Sequence, residues 1–301
     1  MVDLECPRRR WSARLFLTYG VFLSSSLAEP VAIAPRWQVN FPAVANGMAK
    51  ESTAVPIDNA STMVMLVGVG ADPMNPKLKV GNRVIPVKVI GYDVVSRLGF
   101  LKLEGSDLPK PVEWSDQVGQ DATAALRTVE AGGSMKCQGL GWVKQVGGKI
   151  LPFALLKVDF SKGVPPSGTP LMNESGRVVA IVFQGAGAGN VGYAIPAEVV
   201  HRVRADLSSG GKLSRGWLGL ALRTDSTVPQ ISRLLPDSPA LLAGIKVNDI
   251  ILSIGNRPIT DYADAANAFF YLVPEQPVRV KVRRNTELLD FTLTPTKPKD
   301  P

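Results

Sequence analysis

Side chains able to make or break covalent bonds are scarce in this sequence. Its 301 residues include a single histidine, His201, and two cysteines, Cys6 and Cys137. A hydroxyl or thiol nucleophile needs a base within hydrogen-bond reach, and acyl transfer also needs donors for the oxyanion. No histidine lies near Cys137 in the sequence, so this residue reads as a structural thiol. His201 falls in a helical stretch beside Arg202 and Arg204, a pattern expected of an exposed helix face. No cofactor and no metal ion is expected.

Whatever chemistry exists must be positioned mainly by strands. β-rich runs recur at Met63–Val69, Arg83–Ile90, Leu98–Leu103, Ala122–Thr128, Gly139–Val146, Ala154–Val158, Val178–Phe183 and Gly192–Ile195. Turn residues such as Gly81-Asn82 and Glu174-Ser175-Gly176 separate them. Short strands at this spacing predict a mainly β chain, a barrel or sandwich. Pro196–Leu207 is the first helix, with proline at its start and Ser208-Ser209-Gly210-Gly211 at its end. That Ser-Gly stretch opens a linker over 208–215. Residues 29–59, rich in Pro, Ala and Asn, are expected to form a partly ordered arm. Residues 1–28 read as an export signal: Arg8, Arg9, Arg10 and Arg14, an apolar run from Leu15 to Leu27, and small residues up to Ala28. An uncleaved anchor is the alternative, and membrane association would require it. The net charge of +8 is dispersed along the chain, which argues against a nucleic-acid surface.

A new pattern begins at Gly216. Leu218, Leu220 and Leu222 alternate with small or polar residues, as in a half-buried strand. The run SPALLAGIKVNDIILSIGNRPI follows, then a helix near Asp261–Leu272 and a strand pair around Val278–Val282 and Leu288–Leu293. The whole segment 216–296 resembles a PDZ domain, a small β-sandwich with helices; residues 297–301 form a tail. The resemblance implies a groove in which a ligand tail pairs with a strand while a nest of amides holds its C-terminal carboxylate. Trp217-Leu218-Gly219-Leu220 matches the carboxylate-binding loop. Leu218, Leu220 and Leu222 would form one wall of the groove, and Ala265 and Phe269 the other. The competing reading places these leucines in the core.

Residues 60–207 resemble the trypsin-like double β-barrel of the HtrA (Deg) serine proteases. Three stretches carry the resemblance: Val89 to Leu103, Ser167-Gly168-Thr169-Pro170-Leu171 with Gly176 to Ile181, and Gly192-Tyr193-Ala194-Ile195-Pro196. By this resemblance Ser167 stands at the nucleophile position. The histidine of the family would fall near Leu66–Gly68, where the chain has Leu66-Val67-Gly68-Val69. Arg97 occupies the aspartate position with the opposite charge. Pro165, two residues before Ser167, has no N–H to give an oxyanion.

These departures lead to the expectation of an exported HtrA-like pseudoprotease, a PDZ adaptor that binds C-termini or unfolded chains. The alternative is an active endopeptidase with an unusual site at Ser167, for which Lys162 is the nearest substitute base. Family members form trimers through N-terminal aromatic residues, so Trp37 and Phe41 are candidates for a homo-trimer or an assembly with active relatives.

Overall fold

The computed structural model describes residues 37–42, 50–57, 61–105, 110, 112–115, 122–130, 133–146, 149–187, 189–210, 214–223 and 226–298. The export signal expected over 1–28 lies outside them. The first module holds β1 (Trp37–Phe41), β2 (Lys50–Pro56), β3 (Thr62–Leu66), β4 (Lys77–Val80), β5 (Arg83–Ile85), β6 (Val87–Tyr92) and β7 (Leu98–Leu103). They pair antiparallel in the order β5-β4-β1-β2-β3-β7-β6. The two edges are consecutive in the chain, broken only at Pro86, which splits the predicted run Arg83–Ile90 because proline lacks a ladder donor. The sheet therefore curls around an interior of Trp37, Val39, Phe41, Met63, Met65, Leu78 and Leu101.

This arrangement corrects two expectations. Much of the 29–59 arm is β1 and β2, two inner strands of the sheet. Trp37 and Phe41 alternate inward on β1 and are buried at 7% and 1% exposure, so they build the core and offer no surface to a second chain.

The second module is a closed barrel of β8 (Ala125–Glu130), β9 (Gly133–Val146), β10 (Lys149–Phe160), β11 (Pro170–Met172), β12 (Val178–Gly185) and β13 (Val191–Pro196), ordered β10-β13-β12-β11-β8-β9. Helix α1 (Ala197–Gly210) follows, and runs through the serines predicted to end it. The C-terminal module has β14 (Leu220–Leu222), β15 (Ile231–Leu234), α2 (Pro239–Leu242), β16 (Ile250–Ile254), β17 (Arg257–Pro258), α3 (Tyr262–Phe270), β18 (Val278–Arg284) and β19 (Glu287–Leu293). Its sheets are β14-β15 and β17-β16-β18-β19 around a core that includes Leu218, Ile251, Ala265 and Val280. Ser238 and Asp261 cap α2 and α3 by accepting from the amides three residues on. No helix among the described residues is long and apolar enough to cross a membrane.

The described residues form one compact unit, with α3 seated on the barrel. Phe270, 4% exposed, joins the barrel cluster and meets Phe153 at a centroid distance of 4.9 Å. The Asn267 amide donates to the Leu151 carbonyl at 3.1 Å. Lys144 lies 2.5 Å from Asp264 and 3.5 Å from Asp261. Arg257 pairs with Glu198 of α1 and stacks 3.5 Å from the centre of Tyr271. At the junction, buried Arg202 pairs with Asp206 and donates to the carbonyls of Ser214 and Leu272.

Candidate functional site

Two places in the fold could act on another chain: the turn at Ser167 and the open edge of β14. Ser167 sits in the turn before β11. Gly168, at φ 82°, makes the turn possible, since a Cβ there would fall 2.1 Å from the Thr53 carbonyl oxygen. The turn is tied to the first module, whose Thr53 amide donates to the Ser167 carbonyl at 2.8 Å, while the Ser52 hydroxyl donates to the same oxygen at 3.1 Å. The Ser167 hydroxyl donates to the Phe183 carbonyl at 2.8 Å, so its proton is committed to the backbone. The Ser167 amide has no partner among the described residues. Pro165, buried beside it, adds no second donor. Val164, just before the two prolines, packs against the barrel core, its Cγ1 3.0 Å from where a Cβ of Gly192 would lie.

Val67, within the Leu66–Gly68 stretch where the base was expected, meets Arg97, expected at the position of the orienting acid. Val67 is buried, and its carbonyl accepts from Nε of Arg97 at 2.8 Å. The Arg97 guanidinium lies 5.0 Å from the centre of the Phe183 ring. Burial holds it below the usual arginine pKa, against a small opposing effect of Tyr92. Arg97 adopts φ 61°, with its amide bonded to Asp93 and its carbonyl to Val67. His201 is not on an exposed face as the sequence suggests. It is half-buried on α1, edge-on to Trp114 with centroids 5.7 Å apart. Neighbouring Arg202 is 8% exposed at its side chain. Lys162 is exposed and lines a hollow of about 360 Å³ with Gly133, Met135, Pro165 and Pro166; it makes no hydrogen bond to Ser167. Cys137 is buried, which pushes its thiol up to about 11.

The groove is built differently. Gly219, at φ 72°, has room for no side chain: a Cβ would fall 2.1 Å from the Cβ of Ser238. The Leu218 and Gly219 amides make no hydrogen bond to any described residue. Strand β14 pairs on one side only, with β15. The Gly219 carbonyl accepts from Leu235, and the Arg223 amide donates to Gln230. By alternation along the strand, the backbone groups of Leu220 and Leu222 face the unpaired edge. Leu220, Leu222 and Phe269 are half-buried at the margin of the core. Trp217 pairs through its backbone with Thr296.

Two of the predicted wall residues need correction. Leu218 is 3% exposed and Ala265 0%, so their side chains belong to the core beneath the groove. Ala263, Asn267 and Phe270 take the face toward the barrel, and Ala265, Ala268 and Leu272 the face toward the PDZ core. The remaining stripe is Tyr262, Ala266, Phe269 and Val273, all partly exposed. The signal was the same helical periodicity, displaced by one residue.

Comparison with known proteins agrees with both halves. Residues 216–294 match the PDZ domain family. The chain is 30% identical over 263 residues to a probable periplasmic serine endoprotease, DegP-like, from Marinomonas sp. (strain MWYL1), covering 77% of this chain and 54% of that protein. The chain is a homologue of the HtrA-type serine proteases. A DegP-like relative from Chlamydia muridarum is 26% identical over 241 residues, with 70% of this chain and 46% of the relative covered. The homologue thus spans about half the length of the curated relatives it matches. Among solved structures, an HtrA-type protease, AlgW with tripeptide, superposes with a TM-score of 0.65 at 18% identity over 90% of this chain and 96% of that one. The serine endoprotease from Yersinia pestis gives 0.56 at 21% identity, covering 89% and 96%. The fold is therefore the expected trypsin-like β architecture followed by a PDZ domain.

Proposed function

We propose that this HtrA-type homologue is an exported, periplasmic pseudoprotease that binds C-termini of peptides or unfolded proteins in its PDZ groove without cutting them. The observation that carries the reading is the engagement of Arg97 with Val67. A trypsin-like site needs a neutral imidazole on the serine and a carboxylate behind it. By the resemblance, the stretch around buried Val67 stands where the base would be and Arg97 where the acid would be, and the Arg97 guanidinium bonds to the Val67 carbonyl. The Ser167 proton goes to a backbone carbonyl, and Pro165 removes an oxyanion donor worth on the order of 3 kcal/mol of transition-state stabilisation. The periplasmic location rests on the relatives, which are named as periplasmic enzymes. The intact half is the groove: two consecutive open amides, an unpaired strand edge, and apolar walls of Leu220, Leu222, Ala266 and Phe269. These features suit a peptide that ends in an apolar residue.

The deciding experiment incubates the full chain with unfolded casein and with a fluorophosphonate probe. Neither cleavage nor labelling above a Ser167→Ala control is expected. Labelling or cleavage that depends on Ser167 would overturn the reading in favour of an active endopeptidase. Binding is tested separately with a library of free C-terminal peptides, where Leu220→Lys should abolish capture.

A further inference from the structure

One strong set of donors near Ser167 has no acceptor among the described residues. Arg97 is fixed at its backbone by Asp93 and Val67, at Nε by the Val67 carbonyl, and on one face by Phe183. Its two terminal nitrogens make no hydrogen bond or ion pair with any described residue. The carboxylate of Asp93, whose carbonyl holds the Arg97 amide, is engaged elsewhere: it accepts from the amide and hydroxyl of Ser96 at 2.8 and 2.6 Å.

A guanidinium pinned through Nε and one ring face can still offer its outer edge, where the terminal N–H groups point in parallel. That edge matches the two oxygens of a carboxylate. These nitrogens are not among the buried polar atoms that lack a partner, so they stay reachable from solvent, and an anion that meets them gains a charge-assisted bond. We propose that Arg97, which shares Phe183 with Ser167, is a carboxylate-binding site, and that it takes an acidic side chain or a free C-terminus of an extended peptide lying across Ser167. The residue matched to the orienting acid of a protease thus becomes the ligand-reading residue. The inference needs only the geometry of Arg97 and stands whether or not the PDZ groove binds C-termini.

The test is fluorescence anisotropy on the full chain with a labelled, N-acetylated, C-amidated peptide of alternating alanine and glutamate, and with its glutamine counterpart. Amidation removes the terminal carboxylate, so the groove has no anion to hold. The glutamate peptide is expected to bind at least about tenfold more tightly than the glutamine peptide, the scale of one charge-assisted bidentate contact. That preference should disappear in Arg97→Gln, checked by thermal melting to be folded, and persist in Leu220→Lys. A glutamine peptide with a free C-terminus, tested in the Leu220→Lys background, separates the two sources: binding that depends on Arg97 adds terminal carboxylates, and no binding restricts the site to acidic side chains. Equal binding of the two amidated peptides to the unmodified protein would overturn the proposal without any variant. Loss of the preference in Leu220→Lys would overturn it too, by moving the site to the groove.

Discussion

The turn at Ser167 and the loop at Leu218 rest on the same device. Each needs a glycine with positive φ, and in each a side chain on that glycine would fall 2.1 Å from a neighbouring atom. What they do with their polar groups differs. At Ser167 the hydroxyl and both carbonyl bonds are satisfied inside the protein, the preceding prolines remove donors, and a single amide stays open among the described residues. At Leu218 two consecutive amides stay open beside an unpaired strand edge. Buried polar groups are expensive to leave unpaired, so open donors held in a rigid loop mark where a partner is expected. A turn can keep its shape whatever its groups do chemically, whereas amides must stay open for a ligand to use them.

Four substitutions break or sharpen this contrast. Phe270→Ala should have the largest effect. It empties a buried aromatic site between α3 and the barrel at a cost of about 3–5 kcal/mol. Calorimetry should then show two separated transitions in place of one, and groove binding should weaken because one wall loses its support. Asp249→Asn comes next. Asp249 is 1% exposed at its side chain; it accepts from the Lys246 amide and from both arms of Arg284, and its backbone pairs with Ile231 of β15. Losing the charge should cost about 2 kcal/mol in urea unfolding and loosen the strand behind β14.

Ser167→Ala should lower stability by only about 1 kcal/mol, the net worth of its bond to Phe183, and leave peptide binding unchanged. Lys144→Ala is expected to cost about 0.5 kcal/mol, as for a partly exposed pair. Its effect has a pH signature. Burial raises the Asp264 carboxyl, but Lys144 and Thr260 outweigh it and hold it below the usual carboxylate value. A carboxylate with a depressed folded pKa stabilises above its unfolded value, about 4, and loses that contribution as pH falls through the folded one. The melting difference between Lys144→Ala and the unmodified protein should therefore be present at pH 7 and shrink below about pH 4.

The β class, the β7 bounds and the PDZ pattern were legible because alternation and turn chemistry are local signals. Strands β1 and β2 were hidden: five- and seven-residue strands among Pro, Ala and Asn carry too little periodicity to stand out. Around Ser167, residue types alone carried the expectation that base and acid are missing. The contact between Arg97 and Val67 was not readable, because a backbone carbonyl is common to every residue and leaves no mark in the sequence. His201 was misjudged for a related reason. Its arginine neighbours suggested solvent, yet Arg202 is buried by carbonyls of the linker and the PDZ domain. The seat of α3 joins Asn267 to Leu151 across more than a hundred residues, a distance no local pattern spans.

That seat also orders events during synthesis. The β9–β10 hairpin leaves the ribosome long before α3, and domains fold from the N-terminus as they emerge. Until Phe270 arrives, Phe153 and the Leu151 carbonyl have neither their apolar nor their polar partner, so the barrel exists for a time with an uncovered side. A chain stopped before Gly216 would keep that side permanently bare and should be captured by chaperones or aggregate, although every strand of the barrel is present.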